Sequence, residues 1–294
     1  MIIDAFPYFN EEELCLIRLN YLQDAVDKFI IVESNQTWRC RPNKQKFLSV
    51  LEKVPQHIKD KIVYKWVEHP DEYLDSEEHT NLKTIQNITR DNLVYEARKI
   101  TDKAIFFYSD LDEIWDKRGL AEIKRLLKAG EKQIVCDQDL RVVYLDWYAR
   151  MRNWPGTRIT NLENLPEEKP LSTGAFKYTK AGAFKRHTVI KNGWHFSYFG
   201  SDNQRTEKIA NIKNAMDWER KAGMSYAQIA TRVKTIQEWN NVVRKKKIQG
   251  RQLDDNLQID ASLQKEFFKF DLLSPWFKNK YESHLRSTKY DEVY

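Results

Sequence analysis

The chain of 294 residues and 35.2 kDa is long enough to bury a full core without metal or disulfide staples. Its composition, 41% hydrophobic and 31% charged with only nine glycines and eight prolines, excludes disorder, collagen-like repeats and low-complexity linkers. A net charge of +6 suits phosphate-bearing ligands or anionic surfaces without demanding nucleic acid. No apolar run reaches the about 20 residues that span a bilayer. The opening residues Met1–Pro7 show neither a basic flank nor a cleavage site. The expectation is a soluble, cytoplasmic protein with at most peripheral membrane contact. Cys15, Cys40 and Cys136 are widely spaced and lack neighbouring histidines, which argues against a disulfide framework or a structural zinc site.

In chain order, Ile2 to Phe9 is an apolar run, and Asn10 followed by Glu13 reads as a helix N-cap with its capping-box partner. Leu14, Ile17, Tyr21 and Ala25 then recur at helical spacing. Phe29 to Val32 is a buried strand with a polar end at Glu33, and Ile62 to Val67 is another strand. Residues 80–101 carry a helical stripe through Leu82, Ile85, Thr89 and Leu93. Ala104 to Tyr108 is a third buried strand, running directly into Ser109-Asp110-Leu111-Asp112-Glu113. Short apolar strands separated by helices predict an α/β fold, a mostly parallel sheet flanked by helices. Ligands of such sheets bind beyond the carboxyl ends of the strands, which singles out Asn10, Glu33 and Asp110 to Glu113.

Strand-like segments at Arg141 to Leu145 and His187 to Ile190 flank a stretch that holds Trp154-Pro155-Gly156, Pro166 and Pro170 and reads as loop-rich. From Thr206 the pattern is helical, with a second capping box at Ser225 and Gln228. The organisation expected is a catalytic unit over residues 1–205 and a helical C-terminal extension over 206–294, packed on the same domain.

The chemistry-bearing residues follow from this layout. In extended chain, residues i and i+2 point to one side, so Asp110 and Asp112 could converge on a hard divalent cation, Mg²⁺ or Mn²⁺, shared with a substrate phosphate. Glu113 could orient the pair or point to solvent. His195, within Asn192-Gly193-Trp194-His195-Phe196-Ser197-Tyr198, is a core histidine or, alongside an acidic motif, a third metal ligand. Arg90-Asp91 reads more readily as a surface pair, with ligand binding as its alternative. Arg244 to Lys247 reads as a solvated helix end, or as a weak contact with anionic lipid head groups or a phosphorylated acceptor. Asp146, among aromatics in Tyr144-Leu145-Asp146-Trp147-Tyr148, and Asp202, in the polar stretch after the His195 segment, are candidate general bases, Asp202 ranking marginally first. P-loop, G-x-G-x-x-G, G-x-S-x-G and H-E-x-x-H signatures are absent from the sequence.

Four stretches, Asp4 to Leu22, Phe29 to Thr37, Phe106 to Ile114 and Gly193 to Gly200, resemble glycosyltransferase family 17 in sequence, order and spacing. The resemblance covers about residues 1–220. It implies a GT-A-type, Rossmann-like fold, a UDP-sugar donor (UDP-N-acetylglucosamine in familiar members) and transfer with inversion to a hydroxyl of a glycan acceptor. Carried across by position, Asp110 and Asp112 become the metal and diphosphate motif, and His195 sits at the diphosphate or metal. Glu33 lies near the uridine or ribose, Lys208 pairs with a phosphate, and Arg90 stands where the family has an arginine before the acidic strand. The animal members carry an N-terminal membrane anchor that these residues do not show, so a soluble microbial or viral enzyme building a surface glycan is expected. Two rivals remain. One is a nucleic-acid-binding module, which the small charge excess and the acids at residues 110–113 disfavour, so no nucleic-acid partner is expected. The other is a metal-dependent nucleotidyltransferase or phosphodiesterase. The acceptor and the oligomeric state are not legible.

Overall fold

A computed structural model describes residues 1–142, 147–173, 175–177, 183–200, 202–211, 247–248, 251–252 and 257–259. The elements over the first two thirds are β1 (Ile2–Pro7), α1 (Glu12–Leu22), β2 (Lys28–Ser34), α2 (Phe47–Lys53), α3 (Gln56–Lys59), β3 (Ile62–Val67), α4 (His79–Arg98), β4 (Ile105–Tyr108), β5 (Glu113–Ile114), α5 (Leu120–Lys128), β6 (Ile134–Val142), β7 (Trp147–Asn161), α6 (Ala183–Arg186), β8 (Thr188–Ser197) and α7 (Asp202–Asn211). Short strands β9 (Lys247–Ile248), β10 (Arg251–Gln252) and β11 (Leu257–Ile259) follow. Among the described residues, no helix is long and apolar enough to cross a membrane.

The first half of the sheet forms as the sequence pattern dictates. β3, β2, β1 and β4 lie side by side and parallel, because these strands are largely apolar on both faces and helices carry the chain back from β1 to β2, from β2 to β3 and from β3 to β4. Alternation along β1 shows the division: Ile2 and Phe6 enter one core, Ile3 and Ala5 the other. Phe29 and Ile31 of β2 and Phe107 of β4 join the first core, together with apolar residues of α1, α2, α3 and α5. Ile30 and Val32, with Phe106 and Tyr108, join the second, where Leu93, Val94 and Ala97 of α4 cover the sheet.

The second half departs from expectation. β7 runs antiparallel to β4, β6 antiparallel to β7, β8 parallel to β6, and β5 antiparallel to β8. The sheet is therefore mixed, parallel on one side of β4 and largely antiparallel on the other, rather than mostly parallel. Trp154-Pro155-Gly156 is not loop but the middle of the long strand β7. The pairing of β6 with β7 shifts register between Val135 and Asp137, opposite the span from Pro155 to Arg158, and such a bulge is where a strand accommodates Pro-Gly. A Cβ at Gly156 would lie 1.7 Å from Gln138 Oε1, so a larger residue there would have to displace the Gln138 side chain.

Two helix boundaries are corrected. Asn10 is not the cap of α1: Glu11 holds that position, without a capping side-chain hydrogen bond, and the Asn10 side chain donates to Glu207 instead. The helix expected from Thr206 begins earlier, at Asp202. The capping box at Ser225 and Gln228, Asp146 and Arg244 to Lys246 lie outside the described residues. Lys247 opens the short strand β9 rather than closing a helix.

Candidate active site at the carboxyl ends of the strands

The strand directions bring the carboxyl ends of β1, β2, β4 and β8 to one edge of the sheet. After β4 the chain does not continue extended. Leu111 and Asp112 form a turn closed by the Glu113 amide donating to the Asp110 carbonyl at 3.0 Å. The convergence expected of Asp110 and Asp112 rested on extended geometry, and the turn replaces it. Glu113 then starts β5 and pairs directly with His195 of β8, while the Phe196 amide donates to the Asp112 carbonyl at 2.7 Å.

This turn makes Asp112, Glu113 and His195 neighbours. Among the described residues they are the acid and imidazole group with one ligand atom each within 4.8 Å of one another, and all three are buried. Asp110 stands apart from this cluster, bound through Oδ1 to Arg90 Nη2 at 2.7 Å. Arg90 also lies over the ring of Trp38, 4.8 Å from its centroid. Arg90 and Asp91 are therefore not a surface pair. Both are buried, and Asp91 accepts from the Leu171 amide at 2.7 Å and from the Ser172 hydroxyl.

His195 is fixed by its surroundings. Trp154 stacks on the imidazole with ring centroids 4.0 Å apart and planes 14° from parallel, and the Trp154 indole donates to Glu113 Oε1 at 2.8 Å. Nε2 faces Asp112 Oδ2 at 3.4 Å, and Nδ1 is buried with no hydrogen-bond partner among the described residues. Two carboxylates and one imidazole form a donor set that suits Mn²⁺ or Mg²⁺, more readily Mn²⁺ because of the nitrogen. The unsatisfied ring nitrogen is a further sign of a polar site rather than a packed core position.

A cation from the chain itself reaches the same acids. Lys208 of α7 places Nζ 2.7 Å from Asp112 Oδ2 and 2.7 Å from Glu11 Oε1. Burial alone would push the Asp112 carboxyl up, but Lys208, with His195 assisting, holds it far below the usual carboxylate range. Burial conversely works to lower the Lys208 ammonium, and Asp112 and Glu11 outweigh it and hold it well above the usual lysine value. The rest of α7 docks through polar contacts. Gln204 donates to Glu13 and to the Asn10 carbonyl, and Glu207 accepts from Asn10 and Lys46. Asp202 opens this helix. Glu33 lies at the end of β2, but its carboxylate accepts from the Lys46 and Phe47 amides and from the Tyr64 hydroxyl at 2.9–3.1 Å, and burial pushes its carboxyl up.

The sequence reading singled out Asp112, His195, Arg90 and Lys208, and the structure brings them to one edge. It left Glu113 undecided and missed Glu11 and Trp154. The position of Glu113 directly after an acidic pair was a usable signal. Glu11 and Trp154 had none, because their roles depend on β7 and α7 crossing the strand ends.

A sequence model of glycosyltransferase family 17 matches residues 1–155, more than half of the chain. The chain belongs to glycosyltransferase family 17. The match includes the acid turn and Trp154 and ends before His195 and Lys208. No curated protein matches the chain. Solved structures with a likeness include the 4-diphosphocytidyl-2C-methyl-D-erythritol synthase of Anaerococcus prevotii, at 11% identity and TM-score 0.33 over 65% of this chain and 87% of that one. HddC from Yersinia pseudotuberculosis in complex with GMP-PN matches at 12% identity and TM-score 0.36 over 65% of this chain and 92% of that one. Scores this low carry no argument about this chain. The family assignment makes the protein a glycosyltransferase, an enzyme with a sugar donor and an acceptor.

Proposed function

We propose that this family 17 enzyme is a GT-A-type, metal-dependent inverting transferase that moves N-acetylglucosamine from UDP-N-acetylglucosamine to a hydroxyl of a glycan acceptor. The observation that carries the reading is the buried Asp112–Glu113–His195 cluster at the carboxyl edge of the sheet, in a chain whose family transfers sugars. Asp112, Glu113 and His195 would hold Mn²⁺ or Mg²⁺. When bound, the ion would offset the charge of the departing nucleoside diphosphate.

The chain's own residues divide the remaining work. Lys208 supplies a half-buried positive charge beside Asp112 and would turn to a donor phosphate. Arg90, held by Asp110 and Trp38, offers a second cation at the end of β4. Trp154 and Glu113 keep the His195 ring in one orientation. Asn10 and Glu33 would border the nucleoside, Glu33 by fixing the start of α2 rather than by direct contact, since its carboxylate is already engaged. A carboxylate base deprotonates the acceptor hydroxyl, which attacks the anomeric carbon from the face opposite the leaving group, a contribution of about 10²–10⁴-fold. Asp202 is proposed for this role ahead of Asp146.

The decisive variant is Asp112→Ala. Calorimetry with UDP is expected to show nucleotide binding that depends on Mn²⁺ in the wild type and is lost in the variant, with sugar transfer abolished and the circular dichroism spectrum retained. Unchanged Mn²⁺-dependent UDP affinity in Asp112→Ala removes the cluster as the metal centre.

A further inference from the structure

The acid turn is held from beneath by a residue far from it in sequence. Arg18 of α1 is fully buried, and so is its partner Asp4 of β1. Their pairing is bidentate: Nε donates to Asp4 Oδ2 and Nη2 to Asp4 Oδ1, each at 2.8 Å. Asp4 Oδ1 also accepts from the Trp115 indole at 3.1 Å, and Phe6 lies under the guanidinium, 4.3 Å from centroid to Cζ. The fork is thereby fixed in plane and direction.

What remains of the fork is spent on the turn. Nη1 donates to the carbonyls of Asp110, Leu111 and Glu113 at 3.0, 3.2 and 3.2 Å, and Nη2 donates to the Ser109 hydroxyl at 2.8 Å. Ser109 in turn donates to the Glu113 carbonyl at 3.1 Å, as Thr157 does at 2.9 Å. Three carbonyls of one four-residue turn thus point inward to a single cation. Backbone carbonyls gathered in this way fix the peptide planes of the turn, and with them the directions in which the Asp112 and Glu113 side chains leave it.

We propose that Arg18 is the positioning residue of the metal cluster: its guanidinium, aimed by Asp4, sets the 110–113 turn so that Asp112 and Glu113 meet His195. The inference rests on the metal-centre reading above. A lysine keeps the charge and can still pair with Asp4, but its single ammonium cannot serve a carboxylate, a hydroxyl and three carbonyls in one plane. The loss in Arg18→Lys therefore falls on cluster geometry rather than on charge.

The test titrates Mn²⁺ alone into full-length protein and reads free ion by electron paramagnetic resonance, with folding checked by circular dichroism and melting. Arg18→Lys is expected to bind Mn²⁺ about tenfold to a hundredfold more weakly than wild type, the range for residues that orient metal ligands. In Arg18→Gly, added methylguanidinium is expected to restore Mn²⁺ affinity, and methylammonium at equal concentration is not. Restoration by both reduces Arg18 to a filler of charge and space and overturns the proposal. If Arg18→Gly does not fold, Ser109→Ala replaces it: it removes a partner of the fork and a donor to the Glu113 carbonyl, and is expected to lose Mn²⁺ affinity to a smaller degree than Arg18→Lys. Equal Mn²⁺ affinity in wild type, Arg18→Lys and Ser109→Ala overturns the positioning role alone. No Mn²⁺ binding by the wild type overturns the metal centre and this inference with it.

Discussion

Asp112 Oδ2 is contested by two partners, the Lys208 ammonium at 2.7 Å and the His195 imidazole at 3.4 Å. The Asp112 carboxyl is depressed, so its share of stability is present above the ordinary carboxylate pKa of about 4 and is lost only as pH falls through the folded value. The Lys208 ammonium is raised, so its share is complete below about 10.4 and is lost as pH rises through the folded value. Between these limits the pair contributes a constant amount. Lys208→Met leaves Asp112 and Glu11 buried without their cation and is expected to cost about 3 kcal/mol, with a melting-temperature deficit that stays flat between about pH 5 and 9. The same variant is expected to bind Mn²⁺ more tightly than wild type in the absence of nucleotide, because an ammonium no longer competes for Oδ2. Weaker binding would mean that Lys208 orders the ligand oxygen instead of guarding it. Asp112 and His195 were legible from residue type and placement, an acid directly after a buried strand and an imidazole in a chain that carries it, whereas Lys208 came only through the family resemblance. The sequence reading placed Asp110 ahead of Glu113 because it assumed extended geometry where the chain turns at Leu111–Asp112.

Among the elements, the crossing of β5 and β8 sets the site, and a glycine permits it. Gly193 has φ +82°, and a Cβ there would lie 2.2 Å from the Ile114 carbonyl oxygen and 2.7 Å from Trp115 Cα. Both are backbone atoms, so no side chain can yield. Gly193→Ala combines strain at positive φ with this collision and is expected to destabilise by more than about 2 kcal/mol. Because it pushes β8 from β5 at the pair next to Glu113 and His195, it should weaken Mn²⁺ binding as well. Urea unfolding and Mn²⁺ titration check the two effects, and an intact Mn²⁺ affinity would show that the cluster survives separation of the strands. Gly193 stood in plain view in the sequence, yet its function could not be read there, since the partner it must clear comes from the chain near residue 115. The same blindness to partners turned Trp154-Pro155-Gly156 into a loop. Proline and glycine punctuate a lone segment, whereas here the bulge against β6 accommodates them and the Gln138 side chain fills the space beside Gly156.

The described residues are organised around a main sheet with a core on each face. Its parallel half was legible because every strand there is largely apolar on both faces and every connection is helical, so local pattern and global fold agree. The antiparallel half was not, because β6, β7 and β8 mix polar and apolar residues without a sustained two-residue period, as in Cys136-Asp137-Gln138-Asp139 and Trp154-Pro155-Gly156, and so read as irregular. Ile123 of α5 belongs to the core on one face, and Leu93 of α4 to the core on the other. Both are buried, at 0% and 1% exposure, so truncating either to alanine should cost about 2–5 kcal/mol. The faces share β1, β2 and β4, whose alternate residues feed both cores. Neither core can melt while the other keeps those strands in place. Ile123→Ala and Leu93→Ala should therefore each shift one common transition, and the double variant should show the sum of the single losses to within about 0.5 kcal/mol, as for separated sites. Urea unfolding followed by tryptophan fluorescence and by far-ultraviolet circular dichroism reads this directly. Two resolved transitions, with each variant moving only its own, would mean that the faces unfold as separate units and that the sheet does not couple them.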